Sequence, residues 1–152
     1  MAVPDDDKPV QNPLTLVMKI KSKEDAHELH KLLDDIQGRP PTENPITAAL
    51  TKIGTVHFAR FVFLDHDDKL AVITAYDHSF DDYINEFVTQ IGQVFDMLLA
   101  HMADAPPLPV REHRKEFLQY VKDNDMPPVG TFYSAYPSLT VLDILDLASR
   151  ED

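Results

Sequence analysis

Residues 55–76, TVHFARFVFLDHDDKLAVITAY, decide how this sequence folds. Thr55–Leu64 is crowded with β-branched and aromatic side chains, which prefer a pleated, half-buried surface. The segment KLAVITAY has the same character, and the polar link DHDD between them is too short for anything but an antiparallel hairpin. Side chains alternate across a strand, so each face reads separately. His57, Ala59, Phe61 and Phe63 fall on one side, and Phe58, Arg60, Val62 and Leu64 on the other. Leu70, Val72, Thr74 and Tyr76 oppose Ala71, Ile73, Ala75 and Asp77. Neither face is polar. An antiparallel sheet covered by helices on one side normally shows a solvated opposite face. Here both faces call for cover, and a second subunit is the simplest cover for the one that helices do not reach. A homodimer is therefore expected.

Upstream, Leu14–Ile20 (LTLVMKI) predicts a strand with Leu14, Leu16, Met18 and Ile20 on one face. Ser22 with Asp25 reads as a capping box opening a helix to about Ile36, its stripe formed by Ala26, Leu29, Leu32, Leu33 and Ile36. Gly38, Pro40 and Pro41 stop it. A second helix is expected over 42–53, ended by Gly54. Downstream, Ser79 predicts the cap of a long helix over 80–101, broken by ADAPPLP. A charged helix over 111–124 follows. TFYSAY (131–136) reads as a last strand ended by Pro137, and Ser138 as the cap of a C-terminal helix. The order is β-α-(α)-β-β-α-(α)-β-(α): an α+β chain on the ferredoxin-like β-α-β-β-α-β plan with extra helices. Residues 1–12, rich in acids and proline, read as a flexible arm, and 13–150 as a single domain.

The chain has 152 residues, a formal net charge of −12 and no cysteine. Thiolate chemistry and disulfides are thereby excluded. Strong negative charge opposes nucleic acid and anionic membrane. No apolar run approaches the ~20 residues of a membrane span. The opening MAVPDDDKPVQNP lacks the basic and apolar regions of a signal peptide, so a cytoplasmic protein is expected. Only four glycines are present, which leaves no phosphate-cradling loop or dinucleotide fingerprint.

The run HFARFVFLD…LAVITAYDHSFDDYINEF resembles a recurring bacterial pattern. In that pattern a strand written HFARF-V precedes a strand ending in Asp, and S-F-x-x-Y opens the next helix. It is similar to uncharacterised bacterial members of the dimeric α/β-barrel superfamily. That superfamily also holds dye-decolourising peroxidases, chlorite dismutase-like haem proteins, small quinone-forming monooxygenases and polyketide cyclases. The likeness covers about residues 55–90. It implies a dimeric barrel whose pocket takes an apolar or aromatic small molecule. The pattern's usual Asp-Gly after the third strand is Asp77-His78 here. The peroxidase signature, Gly-x-x-Asp-Gly with a downstream histidine, is not visible. Haem is therefore not carried over, and no other cofactor is expected.

Arg60, His57 and Asp77 are the candidate catalytic groups. An arginine inside a barrel needs a partner or an anion, so Arg60 either binds a ligand oxygen or sits in an internal salt bridge. His57, three residues away, should face the opposite side of the sheet. Asp77 could orient His78 or a ligand group for acid–base work, or simply cap the following helix together with Ser79. Tyr76, His78, Phe61 and Tyr133 are the candidate ligand contacts, against ordinary strand packing as the alternative. His27 and His30 share a helix face without a third ligand, so no metal site is expected. Two functions are compatible with these residues. One is a small enzyme of monooxygenase, cyclase or peroxidase type. The other is a non-catalytic dimeric module binding a small ligand or a protein.

Overall fold

The computed structural model describes residues 8–150. Three strands, β1 (Gln11–Lys19), β2 (Val56–Leu64) and β3 (Lys69–Asp77), form one antiparallel sheet in the order β1-β3-β2. Among the described residues five α-helices accompany it: α1 (Lys23–Gln37), α2 (Pro45–Ile53), α3 (Phe80–Leu99), α4 (Arg114–Asn124) and α5 (Val141–Ser149). The chain is thus α+β, as its element pattern predicts.

Local chemistry sets the boundaries. Ser22 accepts the Asp25 N–H at 3.1 Å, and Ser79 accepts that of Asp82 at 3.1 Å, so α1 and α3 start where their caps stand. At α2 the cap is Asn44, which takes the Ile46 and Thr47 amides. The residues before it make a separate 3-10 turn, Pro41–Glu43. At α5 the cap is Thr140 rather than Ser138, with Asp143 closing a reciprocal capping box. The long helix breaks at Ile91, whose φ of −134° is not helical. Gly92 lies beside the break, in van der Waals reach of Val110. The Arg111 and Arg114 guanidiniums donate to the Thr89 and Asn85 carbonyls on the first half of that helix.

The core lies on one face of the sheet. Leu14, Leu16 and Met18 of β1 and Leu70, Val72 and Tyr76 of β3 are buried against α1, α3 and α4, with Phe61 and Phe63 packed at the margin. The opposite face is bare. Phe58 is 78% exposed, Arg60 and Leu64 are exposed, and Val17, Val62 and Ile73 are only half-buried. Its strand residues carry Lys19, Arg60 and Lys69 and no exposed carboxylate.

The two edges of the sheet differ. The outer edge of β1 is closed in pieces. Ala103 N–H bonds the Lys19 carbonyl, Lys21 N–H that of His101, and Met126 N–H that of Thr15, while Val10 N–H bonds Pro137. Asp125 also takes the Thr15 N–H through its carboxylate at 3.0 Å. Among the described residues, no backbone group of β2 bonds to anything but β3.

Two expectations change. The expected strand at 131–136 is not formed. The nearest approaches to a fourth strand are the isolated bridges Leu16–Asp125 and Ile20–Met102; after the first, Pro127 and Pro128 follow Met126 with no N–H to continue a ladder. Tyr133 and Tyr136 are left 82% and 63% exposed. At the other end β1 begins at Gln11, inside the segment read as an arm, and residues 1–7 of that arm lie outside the described residues.

Candidate functional site

A single irregularity in β2 builds the site. Val56 pairs with Tyr76 and Phe58 with Ala75, so two residues of β2 advance against one of β3 and His57 is the extra one. The bulge takes His57 out of the alternation and turns its ring toward the end of β3. His57 Nε2 lies 2.6 Å from Asp77 Oδ1, with side-chain exposures of 7% and 0%. Asp77 belongs to the same face as Ile73, the partner of Arg60. His57 therefore reaches the side of the sheet that Arg60 occupies, and the opposite-face expectation is corrected by the bulge.

The second oxygen of Asp77 accepts the Val141 N–H at 2.8 Å. Val141 is the first residue of α5, so the carboxylate sits at the positive end of that helix. Asp77 does cap a helix, but one that lies 64 residues downstream rather than the next in the chain. One side chain thereby ties together β2, β3 and α5. The same junction is reinforced by the Gln11 amide, which donates to the Tyr136 and Leu139 carbonyls.

Beside this pair runs a groove of 530 Å³ between α2, β2 and α5. Leu50 and Thr51 line it from α2, Val56–Ala59 from β2, and Val141, Ile144 and Leu145 from α5. No Lys, Arg, Asp or Glu side chain is among its walls. Its size is in the range of small-molecule sites, and its make-up, apolar with a few polar groups, is theirs as well.

The other candidates lie elsewhere. Arg60 does not line the groove; it stands exposed on the bare sheet face and makes no ion pair or hydrogen bond among the described residues. The arginine was expected inside a closed barrel, and the open face leaves it in solvent. Tyr76 stacks on Tyr83 in the core, centroids 4.2 Å apart, and burial together with nearby Asp125 pushes its hydroxyl up to about 12. Tyr83 is pushed up further by burial, and donates to Thr74 Oγ1 at 3.0 Å. Phe61 packs against the core, and Tyr133 stands in the exposed segment after α4.

His78 is exposed with φ of 71°, the left-handed region that favours glycine. His30 stacks on Phe63 at 3.7 Å and approaches Asp67 at 3.1 Å, so it serves the hairpin. Among the described residues, no group of three or more His, Asp or Glu side chains is arranged to hold a metal ion. No helix there is long and apolar enough to cross a membrane.

Sequence reasoning named His57 and Asp77 but missed their partners. Leu50, Val141, Ile144 and Leu145 read as ordinary helix-stripe residues, and nothing in VHFARF marks a bulge. The one available signal was the polar cap Thr140-x-x-Asp143, which fixes where the amides of α5 begin. No protein-family model, curated protein or solved structure matches the chain.

Proposed function

We propose that this chain is a small enzyme acting on an apolar, aromatic-sized molecule held between α2, β2 and α5, with the His57–Asp77 pair as its acid–base group. The observation that carries this reading is the pair itself: a histidine on the wall of a mostly apolar groove, nearly enclosed and bonded to a fully buried carboxylate behind it. A carboxylate behind an imidazole fixes the ring's orientation and stabilises the imidazolium formed when the ring takes a proton. The proton passes from a ligand O–H or acidic C–H to the free ring nitrogen, and the positive charge forms beside Asp77. The reading needs no cofactor.

The assembly we propose is a two-fold dimer on a ferredoxin-like plan. Support comes from the sheet order, from the bridge at Asp125 where a fourth strand would pair with β1, and from the bare face. That face joins an apolar patch of Phe58, Val62 and Ile73 to the cations Lys19, Arg60 and Lys69 and has no exposed carboxylate, so two chains of net charge −12 can meet there without opposing acids. Phe58 belongs to that face and also to the groove, so a partner seated there would narrow the groove's mouth.

The test is methyl chemical-shift mapping of the whole protein against a library of neutral aromatic fragments, followed by turnover assays on compounds related to those that bind. Shifts centred on Leu50, Val141 and Ile144, and turnover lost in a folded His57→Gln protein, are expected. Fragments that map only to other surfaces would remove the groove from consideration, and turnover unchanged in His57→Gln would remove the acid–base role.

A further inference from the structure

We infer that the groove selects a neutral ligand that donates a hydrogen bond, an apolar molecule carrying a phenolic or enolic hydroxyl, and that His57 receives it as an acceptor through Nδ1. The inference rests on the groove reading above and goes one step further, from the shape of the site to the chemistry of its occupant.

The reasoning begins at Asp77. A backbone N–H can only donate, so the 2.8 Å contact from Val141 requires Asp77 Oδ2 to be an acceptor. Oδ1 lies 2.6 Å from His57 Nε2. An ionised carboxylate offers only acceptors, so the ring nitrogen facing it must carry the proton. In a neutral imidazole one nitrogen is a donor and the other an acceptor, and the bond made by one decides the state of the other. Asp77 thereby assigns the proton to Nε2 and leaves a lone pair on Nδ1.

That lone pair is unused. No group among the described residues bonds Nδ1, and it is not a sealed, unsatisfied atom. A ligand that brings a second acceptor leaves two lone pairs facing each other, whereas a hydroxyl satisfies the site. Charge is disfavoured separately. The walls hold no cationic side chain to meet a carboxylate or phosphate and no carboxylate to meet an ammonium group. Removing an ion from water without a partner is costly, so a neutral ligand is favoured.

The experiment uses the full chain, ¹⁵N-labelled in its histidines and ¹³C-labelled in its methyls. Long-range ¹H–¹⁵N spectra of the free protein slightly above neutral pH should show His57 protonated at Nε2 and bare at Nδ1. A proton on Nδ1 would overturn the inference before any ligand is added. Three probes of one shape then separate the chemistry: 2-naphthol as a neutral donor, 2-methoxynaphthalene without the donor, and 2-naphthoate as an anion. 2-Naphthol should move the Nδ1 signal and bind about tenfold more tightly than the methyl ether, the value of one well-placed hydrogen bond. The naphthoate should be the weakest.

Equal affinity for naphthol and its methyl ether, or preference for the naphthoate, would refute the donor rule while leaving the groove in place. Absence of any shift at Leu50, Val141 and Ile144 with all three would instead refute the groove reading, and the donor rule with it. His57→Phe should abolish the preference for naphthol. If that variant fails to fold, the free-protein spectrum and the probe series decide.

Discussion

His78 holds a φ of 71° although it carries a Cβ, and both its backbone groups are committed. Its N–H bonds the Val10 carbonyl at 2.9 Å, and its carbonyl accepts from the Asn12 amide at 2.7 Å. The local conformation is thus over-determined. Glycine adopts it without strain, so His78→Gly should stabilise the protein by about 1 kcal/mol. At this chain length that is a rise of about 2–4 °C in Tm, readable by calorimetry. Asp77, its neighbour, behaves oppositely. Replacing it by Asn leaves one acceptor for two donors, and the cost should be about 1–3 kcal/mol in urea unfolding. The residue types at 77 and 78 were legible as a site from sequence. Their geometry was not, because the bulge that brings His57 to Asp77 and the amide of Val141 that completes the set depend on tertiary pairing. Arg60 shows the reverse case: its charge was legible, but its burial was inferred from a closed barrel, and the bare face exposes it.

At the scale of elements, α1 and α3 are joined end to end by one side-chain hydrogen bond. The His101 ring, just beyond α3, lies 2.8 Å from the Asp25 carboxylate in the first turn of α1. The Ser22 hydroxyl and then the His101 ring hold the Asp25 carboxyl below its ordinary value of 3.8, with Lys21 adding to them. A carboxyl depressed by folding stabilises the fold above its ordinary value, and that contribution is lost as pH falls through the folded value. Asp25→Asn should therefore be less stable than the unmodified chain near neutral pH. The gap between their urea midpoints should narrow as pH drops below about 4. A gap that stayed constant or widened on acidification would show that the pair does not act this way. Helix positions read well from sequence here because caps and apolar stripes are local. The strand expected at 131–136 did not form, although its residues have strand character. A strand also needs an edge to join, and paired prolines after Asp125 keep the chain from running along β1.

Over the whole molecule, the alternation of β2 and β3 foretold a sheet with two apolar faces, and the fold has them: one packed, one bare. Covering the bare face removes Phe58, Val62 and Ile73 from water, and each such side chain contributes about 1.5–3 kcal/mol when fully buried. Dimerisation through this face should survive high salt, since apolar burial rather than charge drives it. Light scattering coupled to size exclusion should report twice the chain mass, and Val62→Asp with Ile73→Asp should return a folded monomer. A monomer from the unmodified chain at micromolar concentration would end the dimer proposal. What sequence could not convey is that the helices leave most of this face uncovered, with α5 reaching only its end at Asp77 and Phe58, since which side of a sheet a helix packs on is decided by connections rather than by composition.

The unequal edges of the sheet have a consequence for how many partners it can hold. A sheet with two open edges is bivalent and can lengthen without limit, as ribbons and fibrils do. Here loops take the outward groups of β1 at Thr15 and Lys19, whereas none of the described loops bonds the backbone of β2. Along the hydrogen-bonding direction β2 is thus the edge left uninterrupted for strand addition, and two copies joined through it would turn outward only β1 edges that their own loops interrupt.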